Sequence, residues 1–335
     1  MQEQTSREIA PQDIAPQDIT PQDIEDAYGR TRSYVNRTPL VRAERLEPLF
    51  GGAQVWLKLE SMQHTGSFKI RGVANKMLSL SKEELACGVT AASSGNHAQA
   101  VAYFARHLQA KACIVMPENA PRTKVDGVRG YGAQVIQYGF TGEDRDRRCG
   151  EIIASEGYCL VHSHKDPLLI AGHGSIALEI REQESGFTDL VLPCGAGSLT
   201  AGAAFAAKLF LPGVAVTAVE PAAVPRFTQS IKAQRPVTVP LGETIADGLR
   251  VGKAEEINYR LIRDHVDRLL TAQEEDIRRA VVEILGCAGV LAEPSAAIGI
   301  AAALAGSLDM GPGRKVCFVI TGGNMDLGLL CGLLL

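Results

Sequence analysis

The sequence predicts an α/β fold in which parallel sheets are flanked by helices. Short apolar segments alternate with helical patterns along most of the chain, beginning at Val89 and then at residues 112–116, 134–138, 160–162, 189–193, 214–220 and 316–321. Glycine, proline or a helical pattern follows each segment, as expected where crossover helices connect parallel strands. A chain of 335 residues is also long enough for two lobes. Because ligands of such folds bind at the carboxyl ends of strands, we expect the site there.

The composition is that of a soluble globular protein. Hydrophobic residues make up 46% and charged residues 21% of the chain. A net charge of -4 argues against nucleic acid or an anionic membrane as the main partner. The longest uncharged segment, residues 190–207, contains proline and glycines and is a poor transmembrane candidate. The eight cysteines form no CxxC pair, which predicts reduced thiols and a cytoplasmic location.

The N-terminal segment contains a short repeat. Residues 10–24 read APQDI, APQDI and TPQDI, and three such copies are too few for a solenoid. We therefore expect a mobile tail over residues 1–24. Its last copy is predicted to begin a helix, with Thr20 as N-cap and Pro21 at the first helical position.

Lys69, in the segment GSFKIRG at residues 66–72, is the candidate for the reactive group. Residues 54–60 alternate polar and apolar side chains like a half-buried strand, and the apolar residues after Lys69 have helical spacing. Lys69 therefore lies where a loop becomes a helix. The helix dipole and burial would both disfavour its ammonium form and leave a usable amine. The alternative is a solvated lysine that begins an amphipathic helix.

The first predicted strand end carries two hydroxyls and an amide. Residues 92–99 include Ser93, Ser94, Asn96 and His97 and precede a helix predicted over Ala100 to His107. Such groups at a helix N-terminus can receive a carboxylate. A simple Ser/Asn helix cap is the alternative.

Two later strand ends add further candidates. Residues 194–199 read CGAGSL and open an Ala-rich helix, so glycine and free backbone N–H groups could hold a phosphate there. A tight strand-to-helix turn would also explain them. Thr321 follows the last predicted strand, and its hydroxyl could meet a ring nitrogen or be a satisfied strand-end group.

Together these features match the needs of pyridoxal phosphate bound to a lysine as a Schiff base. The chain resembles the fold type II pyridoxal-phosphate family, in the branch of serine/threonine dehydratases and serine racemase, from about residue 38 to residue 324. The resemblance rests on motifs in the family's order: KLE (58–60), GSFKIRG (66–72), SSGNH (93–97), GAGSL (195–199), VEP (219–221), EPS (293–295) and GGN (322–324).

The resemblance implies a two-lobed, tryptophan synthase β-like fold. The large cofactor-binding domain would comprise residues 25–80 and 160–335, and the small mobile domain residues 81–159. It also implies a homodimer that acts on a small-molecule amino acid, with no nucleic-acid or membrane partner. Lys69 would form the Schiff base and abstract the α-proton of the substrate. The other implied contacts are Phe68 packed near the cofactor ring, Asn96 at its phenolic oxygen, Gly195, Ala196, Gly197, Ser198 and Leu199 at its phosphate, and Thr321 at its pyridine nitrogen.

The implied activity is that of an ammonia-lyase. A neutral Thr321 hydroxyl cannot stabilise a pyridinium as a carboxylate would, so elimination of a β-hydroxyl is favoured over transamination. A 3-hydroxy-L-amino acid of the serine or threonine type would give a 2-oxo acid and ammonia. Ser93, Asn96 and His97 would receive the substrate carboxylate. The β-substituent, whether hydrogen, methyl, carboxylate or aryl, stays open.

Two residues leave a second activity open. Ser94 is serine, as in serine racemases, where threonine dehydratases commonly have alanine, and its hydroxyl could return a proton from the face opposite Lys69. It could also be a bystander. Arg145 corresponds to an arginine that lies near bound acid groups in serine racemases and would favour serine or 3-hydroxyaspartate; alternatively it is a solvated arginine in the charged segment 143–148. Serine or 3-hydroxyaspartate racemase is therefore the alternative within the family.

Two departures from the family pattern concern the phosphate loop and a metal. Ala196 and Ser198 interrupt a loop that is usually nearly all glycine. Metal-dependent relatives have a glutamate and, six residues later, an aspartate, whereas this chain has Glu220 and Arg226. We therefore expect no metal cofactor, with Arg226 in place of its charge.

Three interpretations from other classes compete with the lyase. Residues 195–197 and Glu220 imitate the dinucleotide fold of an NAD-dependent oxidoreductase, although the glycine spacing is imperfect. Cys159, His162 and His164 offer three metal donors but no fourth ligand. A non-catalytic binding protein would need none of the groups around the lysine segment.

Overall fold

The computed structural model describes residues 19–334, so most of the predicted repeat tail lies outside the described residues. The described chain forms ten strands: β1 Leu40–Arg42, β2 Gln54–Leu59, β3 Val89–Ala92, β4 Ala112–Met116, β5 Gln134–Gln137, β6 Cys159–Leu160, β7 Asp189–Pro193, β8 Ala215–Pro221, β9 Arg268–Ala272 and β10 Lys315–Ile320. The predicted strands all occur, with bounds that agree within two residues.

Thirteen α-helices lie in the same described range: α1 Pro21–Thr31, α2 Lys69–Leu78, α3 Lys82–Cys87, α4 Asn96–His107, α5 Arg122–Gly130, α6 Gly142–Glu156, α7 Pro167–Gln183, α8 Ser198–Phe210, α9 Arg226–Ala233, α10 Glu256–His265, α11 Glu274–Ala288, α12 Pro294–Leu304 and α13 Leu327–Leu334. The predicted start of α1 is confirmed, because the Thr20 side chain accepts from Asp23 N–H and Pro21 is the first helical residue. None of these helices is long and apolar enough to cross a bilayer.

The strands form two separate sheets. The larger has the order β1-β2-β10-β7-β8-β9 and the smaller the order β5-β4-β3-β6. All pairs are parallel except β1 with β2, so the predicted parallel α/β class is confirmed. Leu160, which was predicted to begin the large domain, pairs with Thr90 in the smaller sheet. The division into a large and a small mobile domain stays a prediction.

Each face of the large sheet is covered by its own apolar cluster. Along β10, Cys317 and Val319 point to a cluster shared with α7 and α8, whereas Val316, Phe318 and Ile320 point to one shared with α11 and α12. This alternation is what a strand buried on both faces requires. The small sheet packs with α2 and α4 around a third cluster. Helix α2 thus contacts both α7, which packs on the large sheet, and α4, which packs on the small sheet. Lys69, the first residue of α2, therefore lies between the two sheets.

Candidate active site

Lys69 is the first residue of α2, as predicted. Its Nζ donates a hydrogen bond to the main-chain oxygen of Ser163, 3.3 Å away, and lies 5.0 Å from the centre of the Phe68 ring. Burial lowers the pKa of the Lys69 amine to about 8, while the charge of Glu293 opposes the shift. Roughly a tenth of the amine is therefore uncharged at pH 7, far more than for an ordinary lysine, and the uncharged form is the one that a nucleophile or base requires.

A buried ionic cluster fixes the start of α2. Arg71, two residues after Lys69, lies 2.7 Å from Glu60 and 2.7 Å from Glu179. Lys58 pairs with the same Glu179 and donates to the main-chain oxygen of Thr38. All these side chains are at most 3% exposed. The cluster contains two cations and two anions, so its net charge is zero. Its ion pairs connect α2 to the end of β2 and to α7.

The predicted carboxylate receptor lies at the end of β3. The structure begins α4 at Asn96, four residues before the predicted start, so Asn96 and His97 lie in its first turn. The Ser93 hydroxyl accepts from Gly95 N–H, and Ser94 is half-buried beside it. His97 Nε2 lies 2.8 Å from the Val161 main-chain oxygen. Burial, and then the Lys69 charge, lowers the His97 pKa to about 3, so this imidazole is neutral.

Asn96 links the small sheet to the loops of the large one. Its Nδ2 donates to both oxygens of Glu293, at 3.0 and 3.3 Å, and its Oδ1 accepts from Asn324 Nδ2. Burial raises the pKa of Glu293 to about 7, against the lowering effect of the Asn96 bond. Asn324 Oδ1 would lie 2.4 Å from a Cβ at residue 66, where φ is +71°, so only Gly66 fits there.

The predicted phosphate loop lies at the N-terminus of α8. Gly197 is its N-cap with φ +96°, and a Cβ there would lie 2.6 Å from the Phe227 ring, so glycine is required. Asn258 Nδ2 donates to the Ala196 main-chain oxygen and braces the loop. The first N–H groups of a helix have no partner within the helix and favour an anion. Ala196 and Ser198 are thus accommodated without loss of this helix end.

The family follows from a direct comparison with known proteins. The family model described as "Pyridoxal-phosphate dependent enzyme" matches residues 31–322. The chain belongs to this family. A serine racemase of Arabidopsis thaliana is 38% identical over 311 residues, covering 92% of this chain and 93% of that protein. An L-threo-3-hydroxyaspartate ammonia-lyase of Saccharomyces cerevisiae is 37% identical over 302 residues, covering 90% of this chain and 92% of that protein.

A solved structure supports the same conclusion. Maize serine racemase matches with a TM-score of 0.89 and 34% identity, over 95% of this chain and 97% of that chain. The predicted resemblance and the fold type II class are therefore confirmed, and pyridoxal phosphate is the cofactor of this family.

The residues present fit pyridoxal phosphate. The loop at residues 195–199 offers a helix N-terminus with no room for side chains at Gly195 and Gly197, where an added Cβ would lie 3.0 and 2.6 Å from neighbouring atoms. Lys69 supplies a buried amine of lowered pKa. Thr321 is 4% exposed, and its main-chain oxygen accepts from Phe68 N–H. Backbone and hydrogen bonds thus fix the phosphate loop, the Lys69 amine, the Phe68 ring and Thr321 relative to one another. A pyridoxal-phosphate dependent enzyme requires such fixed groups around its cofactor.

Arg145 lies on α6 of the small-sheet region. It is half-buried, and its Nε is buried without a hydrogen-bond partner among residues 19–334. Burial raises the pKa of the neighbouring Asp146, while the charges of Lys165 and His164 oppose the shift. The fully solvated alternative for Arg145 is therefore not favoured by the structure.

Glu220 and Arg226 form a closed site. Glu220 is fully buried and accepts from Phe227 N–H and from Thr228, so its oxygens are not free for a ribose. Arg226 donates to the main-chain oxygens of Leu249 and Val251 and, at 3.2 Å, of Cys194. The guanidinium is thus surrounded by carbonyl oxygens and a carboxylate, the ligands that hard metal cations prefer.

Removal of divalent metal is therefore expected to have no effect on the wild-type protein. Treatment with a chelator should leave the thermal midpoint and the absorbance of the bound cofactor unchanged, because Arg226 supplies the cation. The variant Arg226→Asp should instead gain thermal stability on addition of Mg²⁺, since a second carboxylate would join Glu220 and the carbonyl oxygens. A chelator-sensitive wild-type protein that Mg²⁺ restores would contradict this assignment.

The three-donor metal interpretation finds no support. Among residues 19–334, no three His, Cys, Asp or Glu side chains are grouped to hold a metal ion. His162 Nδ1 instead accepts from the N–H groups of His164 and Lys165 and so closes a turn. All eight cysteines are free thiols.

Several site residues were not identified from sequence. Ser163 contacts Lys69, and Asn258 contacts both the phosphate loop and the main chain of His164. His164 was considered only as a metal donor, and Glu293 was noted only as part of a motif. Residues 162–164 follow β6, so the rule that sites lie at strand ends could have indicated them. Asn258 lies within a helix far along the chain and gives no such signal.

Proposed function

We propose that the protein is an ammonia-lyase that dehydrates a 3-hydroxy-L-amino acid to a 2-oxo acid and ammonia. The observation that carries the proposal is the Lys69 amine, buried at the start of α2 with a lowered pKa and joined through Ser163, His164 and Asn258 to the phosphate loop. The names of the yeast and Arabidopsis relatives agree with a hydroxy-amino-acid substrate.

The chain's own residues would act in three ways. When bound, pyridoxal phosphate supplies an electron-withdrawing ring that makes the α-proton of an amino acid acidic. Residues 195–199 would hold its phosphate, Asn96 would orient its phenolic side, and Thr321 would lie at its ring nitrogen. Lys69 Nζ takes the α-proton as a neutral base. Ser93, Asn96 and His97 receive the substrate carboxylate, His97 through its backbone N–H, since its Nε2 is used by Val161.

The neutral Thr321 hydroxyl favours elimination. A hydroxyl at this position cannot stabilise a positive ring nitrogen, so the cofactor ring stabilises negative charge at the α-carbon only weakly. Loss of the β-hydroxyl removes that charge quickly and is therefore favoured over a long-lived carbanion, which transamination needs. Closure of a small mobile domain, residues 81–159, over the substrate would exclude water. Asn96 and Lys124 of this region contact Glu293 and Asp247, which lie outside it, so these pairs are the contacts that such a closure would form or break.

Racemisation is a second candidate activity. The half-buried Ser94, two residues before α4, supports it, because a hydroxyl opposite Lys69 would return a proton to the other face of the α-carbon. The name of the Arabidopsis relative favours the same candidate.

The direct test offers purified protein L-serine, L-threonine, 3-hydroxyaspartate and phenylserine. We expect a 2-oxo acid and ammonia in equal amounts from at least one of them. Chiral analysis of the remaining amino acid separates the two candidates. A D-enantiomer that accumulates without 2-oxo acid would replace the lyase by a racemase, and no change in any sample would refute both.

Arg145 is expected to select an acidic β-substituent. Its unpartnered Nε supports a charged hydrogen bond to a carboxylate. We expect Arg145→Leu to lower kcat/KM for 3-hydroxyaspartate relative to serine by about 10- to 100-fold, the value of one hydrogen bond to a charged group. The matched control is Arg147→Leu, which removes an exposed arginine of the same helix. Equal losses for both substrates would refute the selection.

Assembly and location complete the proposal. We infer a homodimer in the cytoplasm, supported by the family resemblance and by the eight free thiols. Light scattering of the purified protein tests the dimer directly.

A further inference from the structure

A hydroxyl, an imidazole and a carboxylate form a spatial row that begins at Ser163, the residue hydrogen-bonded to Lys69. The Ser163 hydroxyl lies 2.8 Å from His164 Nδ1. On the other side of the ring, His164 Nε2 lies 3.9 Å from Glu255 Oε1. The two ring nitrogens thus face different partners, and a carboxylate at Nε2 favours the tautomer with its proton there. His164 Nδ1 is then free to accept the Ser163 O–H.

The Glu255 side chain faces His164 and does not cap the helix that it precedes. It is the N-cap residue of α10, yet its side chain makes no cap hydrogen bond. Its Oε1 lies 3.3 Å from Lys253 Nζ and faces His164 instead. The His164 and Glu255 side chains are 20% and 19% exposed, whereas Lys253 is 66% exposed. The row of groups therefore leads from the site to the protein surface.

The inner end of this row is joined to Lys69 through the main chain of Ser163. Ser163 supplies both the main-chain oxygen that accepts from Lys69 Nζ and the hydroxyl that faces His164. Asn258 Nδ2 donates to the main-chain oxygens of His164 and Ala196, so this segment is fixed against the phosphate loop. The His164 N–H is held by His162 Nδ1. Both the peptide and the ring of His164 are thus oriented.

We propose that Ser163, His164 and Glu255 form a proton relay that exchanges the proton carried by Lys69 with solvent. This relay rests on the proposed function, in which Lys69 takes the α-proton of the substrate. The relay would exchange that proton with solvent while Lys69 carries it, in competition with its transfer to the departing β-hydroxyl, which leaves as water. Nothing in the elimination itself requires these three side chains, so the relay is a separate claim.

The proton transfers balance as follows. An N–H bond of the Lys69 ammonium breaks, its electron pair stays on Nζ, and the proton goes to Ser163 Oγ directly or through one water. The original hydroxyl proton moves from Oγ to His164 Nδ1. The resulting imidazolium, which the Glu255 carboxylate stabilises, releases its Nε2 proton to water at the surface. The His164 hydrogen bond lowers the pKa of Glu255 to about 2, so the carboxylate does not keep the proton. Lys69 Nζ ends neutral with its lone pair, and His164 ends protonated at Nδ1 instead of Nε2. A half-turn of the imidazole ring then restores the proton at Nε2 before the next transfer.

The charged groups around His164 are compatible with this sequence. Burial lowers the His164 pKa, and so do the charges of Lys69 and Lys165, while Glu255 opposes the shift. His97 of α4 and Asp146 of α6 also face it. The ring is therefore neutral at rest and able to accept, and the Glu255 carboxylate stabilises the transient imidazolium.

Nitrogen NMR of the histidine side chains tests the arrangement without any turnover. With the His164 signal assigned from a His164→Asn variant, we expect the tautomer protonated at Nε2 in the wild-type protein. Glu255→Gln should shift this tautomer balance, and Glu256→Gln, which changes the exposed neighbouring carboxylate, should not. A His164 protonated at Nδ1, or a balance unaffected by Glu255→Gln, would overturn the relay.

Isotope exchange tests its function. The amino acid that the enzyme consumes fastest is incubated with the holoenzyme in D₂O, and deuterium at Cα of the unreacted substrate is compared with the 2-oxo acid formed. We expect Ser163→Ala, His164→Asn and Glu255→Gln to lower this ratio by about tenfold, within the range of a positioned proton-transfer group. His265→Asn, which alters a histidine packed on Phe205 away from the site, should leave it unchanged.

The outcomes separate the relay from the lyase. Normal 2-oxo acid formation with an unchanged deuterium ratio in all three variants would refute the relay alone. A wild-type enzyme that forms no 2-oxo acid and exchanges no deuterium would refute the proposed function, while the NMR result would still judge the arrangement of Ser163, His164 and Glu255.

Discussion

Lys69→Ala is expected to reduce turnover at least about 100- to 10 000-fold, the range that one positioned acid–base group contributes. The reason is that the variant loses both the amine that would hold the cofactor and the base at the substrate's α-carbon. The measurement is 2-oxo acid formation in the presence of excess pyridoxal phosphate, together with the cofactor absorbance of the dialysed protein. Lys82→Ala, at an exposed lysine that begins α3, is the control and should match the wild type. Retained turnover in Lys69→Ala would refute the mechanism.

Arg71→Leu is expected to lower the free energy of unfolding by about 3–5 kcal/mol, the cost of breaking a buried ion pair from one side. Glu60 and Glu179 would be left in the core with Lys58 as their single remaining cation in the cluster. Unfolding in urea, followed by circular dichroism, measures the change.

The control for this prediction is Arg42→Leu. Arg42 pairs with Glu47 at 2.7 Å, but its side chain is 40% exposed, so its loss should cost only about 0–1 kcal/mol. If the two variants lose the same stability, the buried cluster does not fix α2 in the way we describe.

The sequence allowed the reactive part of the site to be predicted because its signals are local. Lys69 follows a strand pattern and precedes helical spacing, and the structure places it at the first residue of α2. The glycines at residues 195 and 197 mark a strand-to-helix turn, and the structure shows that side chains do not fit there. Position-specific backbone requirements of this kind are visible in one sequence.

The start of α4 was predicted four residues late because tertiary contacts overrode local preference. Asn96 and His97 are weak helix formers and read as a loop. In the structure the Asn96 side chain is held by Glu293 and the His97 ring by Val161, both from distant parts of the chain. These bonds stabilise the first helical turn.

Two strands were missed for a related reason. β1 is only three residues long and antiparallel, and β9 at the opposite edge is mostly half-buried, so neither has a strong apolar pattern. The contacts of Asn258 with residues 164 and 196 likewise arise only when α10 packs beside the phosphate loop. No residue spacing in the sequence predicts these long-range contacts.

The central claim is that Lys69 carries the cofactor, and chemical reduction tests it most directly. Borohydride treatment of the purified, cofactor-loaded protein should fix the cofactor covalently to the lysine that holds it. Peptide mass mapping is then expected to find the added mass on the peptide that contains Lys69, with the other lysines unmodified. Modification of a different lysine, or loss of the cofactor on denaturation after reduction, would contradict the account.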